Sequence, residues 1–165
     1  MKTKKTVTLA AAVALSMVLS FLESLIPPLA TVPGVKLGLA NIVVVFVLYA
    51  YGAREAGVVS LVRVLLTSLL FGSFVSLAYS AFGAVFSYLV MVFSKRFLPF
   101  SSLGVSVLGA LMHNAGQVLC ACIIMESAAL AVYFIPLSVS GVISGIAVGI
   151  LAGIVTKRLS KIIKR

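Results

Sequence analysis

The sequence predicts an all-α fold, a polytopic membrane bundle of six transmembrane helices, and three observations carry that expectation. Of 165 residues, 62% are hydrophobic and 10% charged, whereas a soluble domain carries roughly 25% charged residues. Apolar stretches of the ~20 residues that a helix needs to cross a bilayer recur along the chain. The thirteen Lys and Arg, set against three acidic residues, mostly flank those stretches. The length allows about six spans with short connections, one integral membrane domain over residues 1–165, and leaves no room for a separate soluble domain. A net charge of +10 in another setting points to nucleic acid. Here it matches the Lys and Arg enrichment of cytoplasmic loops, so the expected partner is the lipid bilayer and not nucleic acid.

The first span is placed over residues 6–26. A basic head precedes an apolar body, as in a signal peptide, but the small residues Ala10 to Ala14 sit inside the body and further spans follow. It therefore reads as an uncleaved first helix. Pro27 and Pro28 end it, since proline lacks the N–H and clashes with the preceding turn. Pro33-Gly34 gives the next loop its turn chemistry. Span 2 covers residues 37–51 and is short; Gly52-Ala53-Arg54-Glu55 forms a polar connection. Span 3 covers residues 56–71, with Gly72-Ser73 as a tight hairpin or break before span 4 at residues 74–93. Lys95, Arg96 and Pro99 form the next connection. Span 5 covers residues 103–125, Glu126-Ser127 follows, and span 6 covers residues 130–155 ahead of a basic tail at residues 157–165.

Charge then orients the bundle. With the N-terminus inside, the inner face holds Lys2, Lys4, Lys5, Arg54, Lys95, Arg96, Lys157, Arg158, Lys161, Lys164 and Arg165, while the outer face holds Lys36 with Glu23 and Glu126 near it. That asymmetry favours both termini in the cytoplasm, which requires an even number of spans. Two ladders of small residues suggest where helices meet. Gly141, Gly145, Gly149 and Gly153 recur every fourth residue on span 6, a smooth strip that a neighbouring backbone can approach closely. Ala10 and Ala14 in span 1, with Ala12, Ser16 and Ser20 alongside, do something similar, either within the bundle or against a partner protein.

Ionisable groups inside a membrane are expensive and are functional candidates by default. Arg63 lies near the middle of span 3, with Ser60 and Thr67 on the same helical face. His113 lies near the middle of span 5, with Asn114 adjacent and Gln117 one turn on. If spans 3 and 5 face one cavity, Arg63 and His113 can share an anionic group; otherwise they belong to an inter-helix hydrogen-bond network. A second group gathers at the outer end: Glu23 at the top of span 1, and Lys36 and Asn41 at the start of span 2, with Gly34 and Gly38 permitting close backbone approach. A helix N-terminus there favours an anion, with Lys36 adding charge. A Glu23–Lys36 pair that pins the loop is the alternative, and the two are compatible.

The absences narrow the chemistry. The sequence has no aspartate, so it lacks the aspartate-rich motifs that hold magnesium on a diphosphate and any Ser–His–Asp triad. It has no Gly-x4-Gly-Lys-Ser/Thr phosphate loop. Cys120 and Cys122 sit in an apolar run and read as small hydrophobes. No Cys or His cluster suggests a metal, no cofactor is expected, and an autonomous enzyme is not.

Several runs taken together resemble a known family. They are Glu23-Ser24-Leu25-Ile26-Pro27-Pro28, then Pro33-Gly34-Val35-Lys36-Leu37-Gly38-Leu39-Ala40-Asn41; Arg63-Val64-Leu65-Leu66 with Leu70-Phe71-Gly72-Ser73; and Gly104-Val105-Ser106 with His113-Asn114-Ala115-Gly116-Gln117. Over nearly the whole chain they look like the bacterial Gx transporter family, also described as heptaprenyl diphosphate synthase component I. That family is similar to the substrate-binding S components of energy-coupling factor (ECF) transporters. The resemblance implies a six-helix protein of the bacterial cytoplasmic membrane that captures a small anionic or amphipathic vitamin or isoprenoid/quinone-related precursor. Its implied partners are a transmembrane T component, met through Ala10 and Ala14, and two ATPases. Its implied substrate contacts are Lys36 and Asn41, with Arg63, His113, Asn114 and Gln117 below and Glu23 beside them. The synthase description implies instead a non-catalytic accessory subunit beside a prenyl-diphosphate synthase subunit, since this chain lacks the diphosphate-metal aspartates.

Overall fold

The computed structural model describes residues 2–25 and 38–163. They form six α-helices: α1 (Lys2–Leu25), α2 (Leu39–Ala50), α3 (Ala53–Phe71), α4 (Phe74–Phe97), α5 (Ser102–Ile124) and α6 (Phe134–Ile163), with a 3-10 helix at Ala128–Tyr133 before α6. No strand occurs among the described residues. Large apolar side chains face outward from most of the helices, among them Leu69, Phe74, Leu89, Ile123, Ile135 and Ile143. An outside this apolar is stable only against hydrocarbon.

The connections have local causes. Gly52 between α2 and α3 adopts φ 119°, ψ −179°, a region open essentially to glycine alone. Gly72 and Ser73 make the two-residue turn into α4, and the Ser73 hydroxyl caps that helix by accepting the Ser76 N–H at 3.1 Å. Leu98 is extended ahead of Pro99, as the proline ring requires of its predecessor. At the end of α5 the Ser127 N–H donates to the Cys122 carbonyl and the Glu126 N–H to the Ile123 carbonyl. This is a Schellman closure in which Glu126, at φ 49°, takes the left-handed position usually given to glycine.

Four helices are long and apolar enough to cross a membrane by themselves: those at Thr3–Glu23, Phe74–Phe97, Ser102–Ile124 and Ala128–Leu159. The other two are α2, short as expected, and α3, which carries three charged residues. At 12 residues, α2 is ~18 Å long at 1.5 Å per residue, short of a ~30 Å core. It is apolar on all sides, and Val43 to Leu48 are consecutively buried, as befits a helix enclosed by others. It packs against α1, α3 and α6 and touches α5. The third helix carries Arg63, which is turned inward with Val59, Ser60, Val64 and Ser68. The bundle thus shields α2 from lipid, whereas α3, which carries Arg54, Glu55 and Arg63, buries only the Arg63 face and keeps Leu61, Leu65, Leu69 and Leu70 exposed on the other. The basic segment after span 6 continues α6 as helix to Ile163.

Cross-helix contacts fix which ends lie together. Lys5 Nζ meets Glu55 Oε1 at 2.5 Å, joining the starts of α1 and α3. Lys95 donates to the Leu48 carbonyl and lies over the Tyr49 ring. Tyr49 and Tyr88 donate to the carbonyls of Phe100 and Ala53. These contacts gather Lys5, Arg54, Lys95 and Arg96 at one end, the basic end. Glu23 and Glu126 lie at helix ends directed away from it.

Helices α4, α5 and α6 form a close-packed sheet of three. A Cβ on Gly141 would stand 2.7 Å from the Asn114 amide nitrogen, on Gly145 2.8 Å from the Val107 Cα, on Gly149 2.6 Å from the Leu103 Cα, and on Gly153 2.9 Å from the Ser102 hydroxyl. The whole ladder therefore faces α5, and its role is packing inside one bundle. On the other side of α5, Gly116 lies against the Phe82 carbonyl and Gly109 against Met91.

Candidate functional site

The candidate site is built around the start of α2. Gly38, at φ 71°, turns the chain into the helix. Its N–H donates to Glu23 Oε1 at 2.5 Å, which brings the upper part of α1 to the α2 N-terminus. There a carboxylate is stabilised by unsatisfied N–H groups and by the helix dipole. The charge of Glu23 also acts on Arg63 of α3. Arg63 is 9% exposed, its Nε has no hydrogen-bond partner, and the Thr67 hydroxyl one turn further is buried and equally unpartnered. Among the described residues no hydrogen bond or ion pair joins Glu23 to Arg63, so their interaction is through space alone.

Gly38 and Asn41 also open onto a crevice between α2, α4, α5 and α6, lined further by Ser87, Met91, Ser106, Gly109 and Ser144. Its free space is about that of one water molecule. Ser87, Ser106 and Ser144 are all buried. Ser144 donates back to the Gly141 carbonyl, while the Ser87 Oγ has no partner. Hydroxyls held apart from one another in a narrow apolar slot can accept and donate to one small neutral group. None of them supplies a nucleophile with an adjacent base.

The remaining sequence-derived residues are distributed elsewhere. Arg63 and His113 are on helices that do not pack closely on each other: α3 packs on α1, α2 and α4, and α5 on α4 and α6 with a small contact to α2. His113 lies flat against Gly83 of α4, where a Cβ would stand 2.8–2.9 Å from its ring atoms. Asn114 donates to the Leu137 carbonyl of α6 at 2.6 Å, a helix-to-helix tie. Gln117 is half-buried one turn beyond His113. Lys36 lies outside the described residues, as do Pro27, Pro28, Pro33 and Gly34. Ala10 and Ala14 are exposed on α1, whereas Ala12 and Ser16 face the bundle. Sequence reasoning missed Ser87 and Ser144. A serine in an apolar helix usually bonds its own backbone, so nothing in the sequence separates these two from the other serines of the chain. Among the described residues no group of three or more His, Cys, Asp or Glu stands together to hold a metal.

Six helices, lipid-facing exteriors and a shielded charged centre define an all-α integral membrane protein. The family model for heptaprenyl diphosphate synthase component I matches residues 12–155, most of the 165-residue chain, and the chain belongs to that family. No curated protein and no solved structure matches it.

Proposed function

We propose that the chain is a non-catalytic membrane subunit that holds a prenyl-diphosphate synthase at the cytoplasmic membrane of a bacterium. One observation carries this reading: membership of a family described as component I of such a synthase, in a sequence without a single aspartate. Chain elongation needs carboxylates to hold magnesium on the diphosphate, and the three glutamates here are Glu23, Glu55 and Glu126, set on different helices and turns. The metal-binding catalysis therefore falls to a second subunit. The basic end faces the cytoplasm, and Lys4, Arg54 and Arg96, exposed there, suit an acidic surface on that partner. A membrane-held synthase delivers its long apolar product directly into lipid. Isolation from membranes in mild detergent tests the reading. The expected result is co-purification of a soluble, aspartate-rich prenyl-diphosphate synthase with elongation activity. Isolation with no synthase activity would remove the proposal.

A second reading has its own observation. The exposed face of α1 carrying Ala10 and Ala14, together with the polar crevice beginning at Asn41, suits a substrate-binding subunit of an ECF-type importer. The small-residue strip would then dock on a transmembrane T component, with two ATPases below. The ligand would be a small anionic or amphipathic vitamin or isoprenoid/quinone-related precursor, met by Asn41, Arg63 and Lys36. Under this reading the same isolation recovers a T component and ATPases, and Ala14→Trp, with the bundle still folded, releases them. Under the accessory-subunit reading Ala14→Trp leaves the synthase bound.

A further inference from the structure

The end of α6 stands clear of the bundle. A Cβ on Gly153 would lie 2.9 Å from the Ser102 hydroxyl, and Ser102 is the first residue of α5. At 23 residues, α5 is ~34 Å long and just spans a ~30 Å hydrocarbon core, so Ser102 marks the edge of that core on the basic side. Past Gly153, α6 runs on to Ile163, about 15 Å further at 1.5 Å per residue. Val155 is the last of its apolar side chains packed on the core among the described residues. No glycine or proline follows Gly153 before Ile163, so the helix has no site at which to fold over onto the membrane surface. The headgroup layer is roughly 5–8 Å deep on each side. Leu159, ~9 Å past Gly153, clears it, and the final turn of α6 stands in water.

That projecting segment is two-faced. Lys157 and Arg158 are exposed, and Lys161 follows Lys157 one turn on. Leu159 is 37% exposed although it lies at the depth of water, and Ile162 and Ile163 take the i+3 and i+4 positions from it. A basic amphipathic helix is covered either by an anionic membrane surface or by a groove on a protein. The first requires the helix to lie in the plane of the interface, and this one continues a transmembrane helix without a break. We propose that residues 157–163 are the arm on which the synthase subunit docks, its groove taking Leu159 on an apolar floor while acidic side chains on the groove's rim meet Lys157, Arg158 and Lys161. Docking on the arm presupposes the accessory-subunit reading and sharpens it, because one projecting helix and not the flat basic end then makes the contact. Charges on such a rim set the rate and orientation of encounter, and the apolar anchor holds the complex.

The test uses the full chain in phosphatidylcholine vesicles and the synthase recovered with it from membranes. Leu159→Ser should weaken retention of the synthase by about tenfold or more. Lys157→Gln combined with Lys161→Gln should slow association about tenfold at low salt and flatten its salt dependence. Glu126→Gln, at the opposite end, should leave both as they were. The sequence has no tryptophan, so Leu159→Trp gives a single emitter on the arm, read against the wild-type chain as blank. In vesicles with or without phosphatidylglycerol its emission should be quenched by acrylamide, and on addition of the synthase it should shift to the blue and lose that quenching. Quenching by brominated lipid instead would give the arm to the membrane and overturn the inference. A wild-type chain that holds the synthase no better than Leu159→Ser and the double lysine variant would overturn it too, with the accessory-subunit reading left standing. A wild-type chain that recovers no synthase removes both together.

Discussion

Arg63 and Glu23 make the strongest residue-scale demand on the fold. A guanidinium taken out of water needs a counter-charge or it destabilises the bundle. Arg63→Met removes a through-space attraction to Glu23 but also the cost of burying a guanidinium whose Nε has no hydrogen-bond partner, so reversible unfolding in mixed micelles should stay within about 1 kcal/mol of the wild type. A loss of several kcal/mol would show instead that the two charges form a tight pair. Both residues stood out in the sequence as ionisable groups in apolar surroundings. Their partnership did not, because they are 40 positions apart on helices whose adjacency only packing decides. The reverse holds for His113 and Asn114. They are neighbours in sequence, yet one ring lies on Gly83 of α4 and the other side chain ties to α6.

At the scale of elements, glycine position decides sign. Gly149→Ala places a methyl 2.6 Å from the Leu103 Cα, a backbone atom that moves only if α5 and α6 separate. It should cost about 1–3 kcal/mol. Gly104→Ala on α5 meets the Phe100 side chain at 3.3 Å, which can turn aside, and the gain in helix propensity is up to ~1 kcal/mol. That variant should be neutral or stabilising in the same unfolding assay. Gly52→Ala, forced to φ 119°, should cost roughly 1–3 kcal/mol. The four-residue repeat of the α6 ladder was legible because close helix contact needs small residues on one face. Its partner helix was not, since the repeat says nothing of what lies opposite. The limits of α2 and α3 were legible from Pro, Gly and charge. The interior position of α2 was not, because a short apolar helix enclosed by protein and one facing lipid have the same composition.

For the whole molecule, the distribution of charge sets orientation and pH response. The Lys5 hydrogen bond holds the Glu55 carboxyl below its ordinary range at the basic end, just outside the segment of α3 placed in the membrane. A carboxylate depressed in the folded state contributes stability at pH above its unfolded value of about 4.3 and loses it as pH falls through the lower folded value. The pair is exposed and its contribution small. Lys5→Met should therefore leave unfolding at neutral pH nearly unchanged and reduce the steepness of the loss below about pH 4. Equal acid sensitivity in the two proteins would show that this contact contributes nothing. The even number of helices and the common location of the termini were legible because the Lys and Arg side chains alternate between flanks. The use made of that basic end was not, because a cytoplasmic loop and a docking surface carry the same residues.

The most direct test of the proposed role is the distribution of prenyl-diphosphate elongation activity between membrane and soluble fractions, measured in cells with the gene for this chain present and deleted. Membrane-bound activity that moves to the soluble fraction on deletion, and returns with the wild-type chain, is the predicted result. Activity that stays at the membrane without the chain, or that is soluble in both, would contradict it.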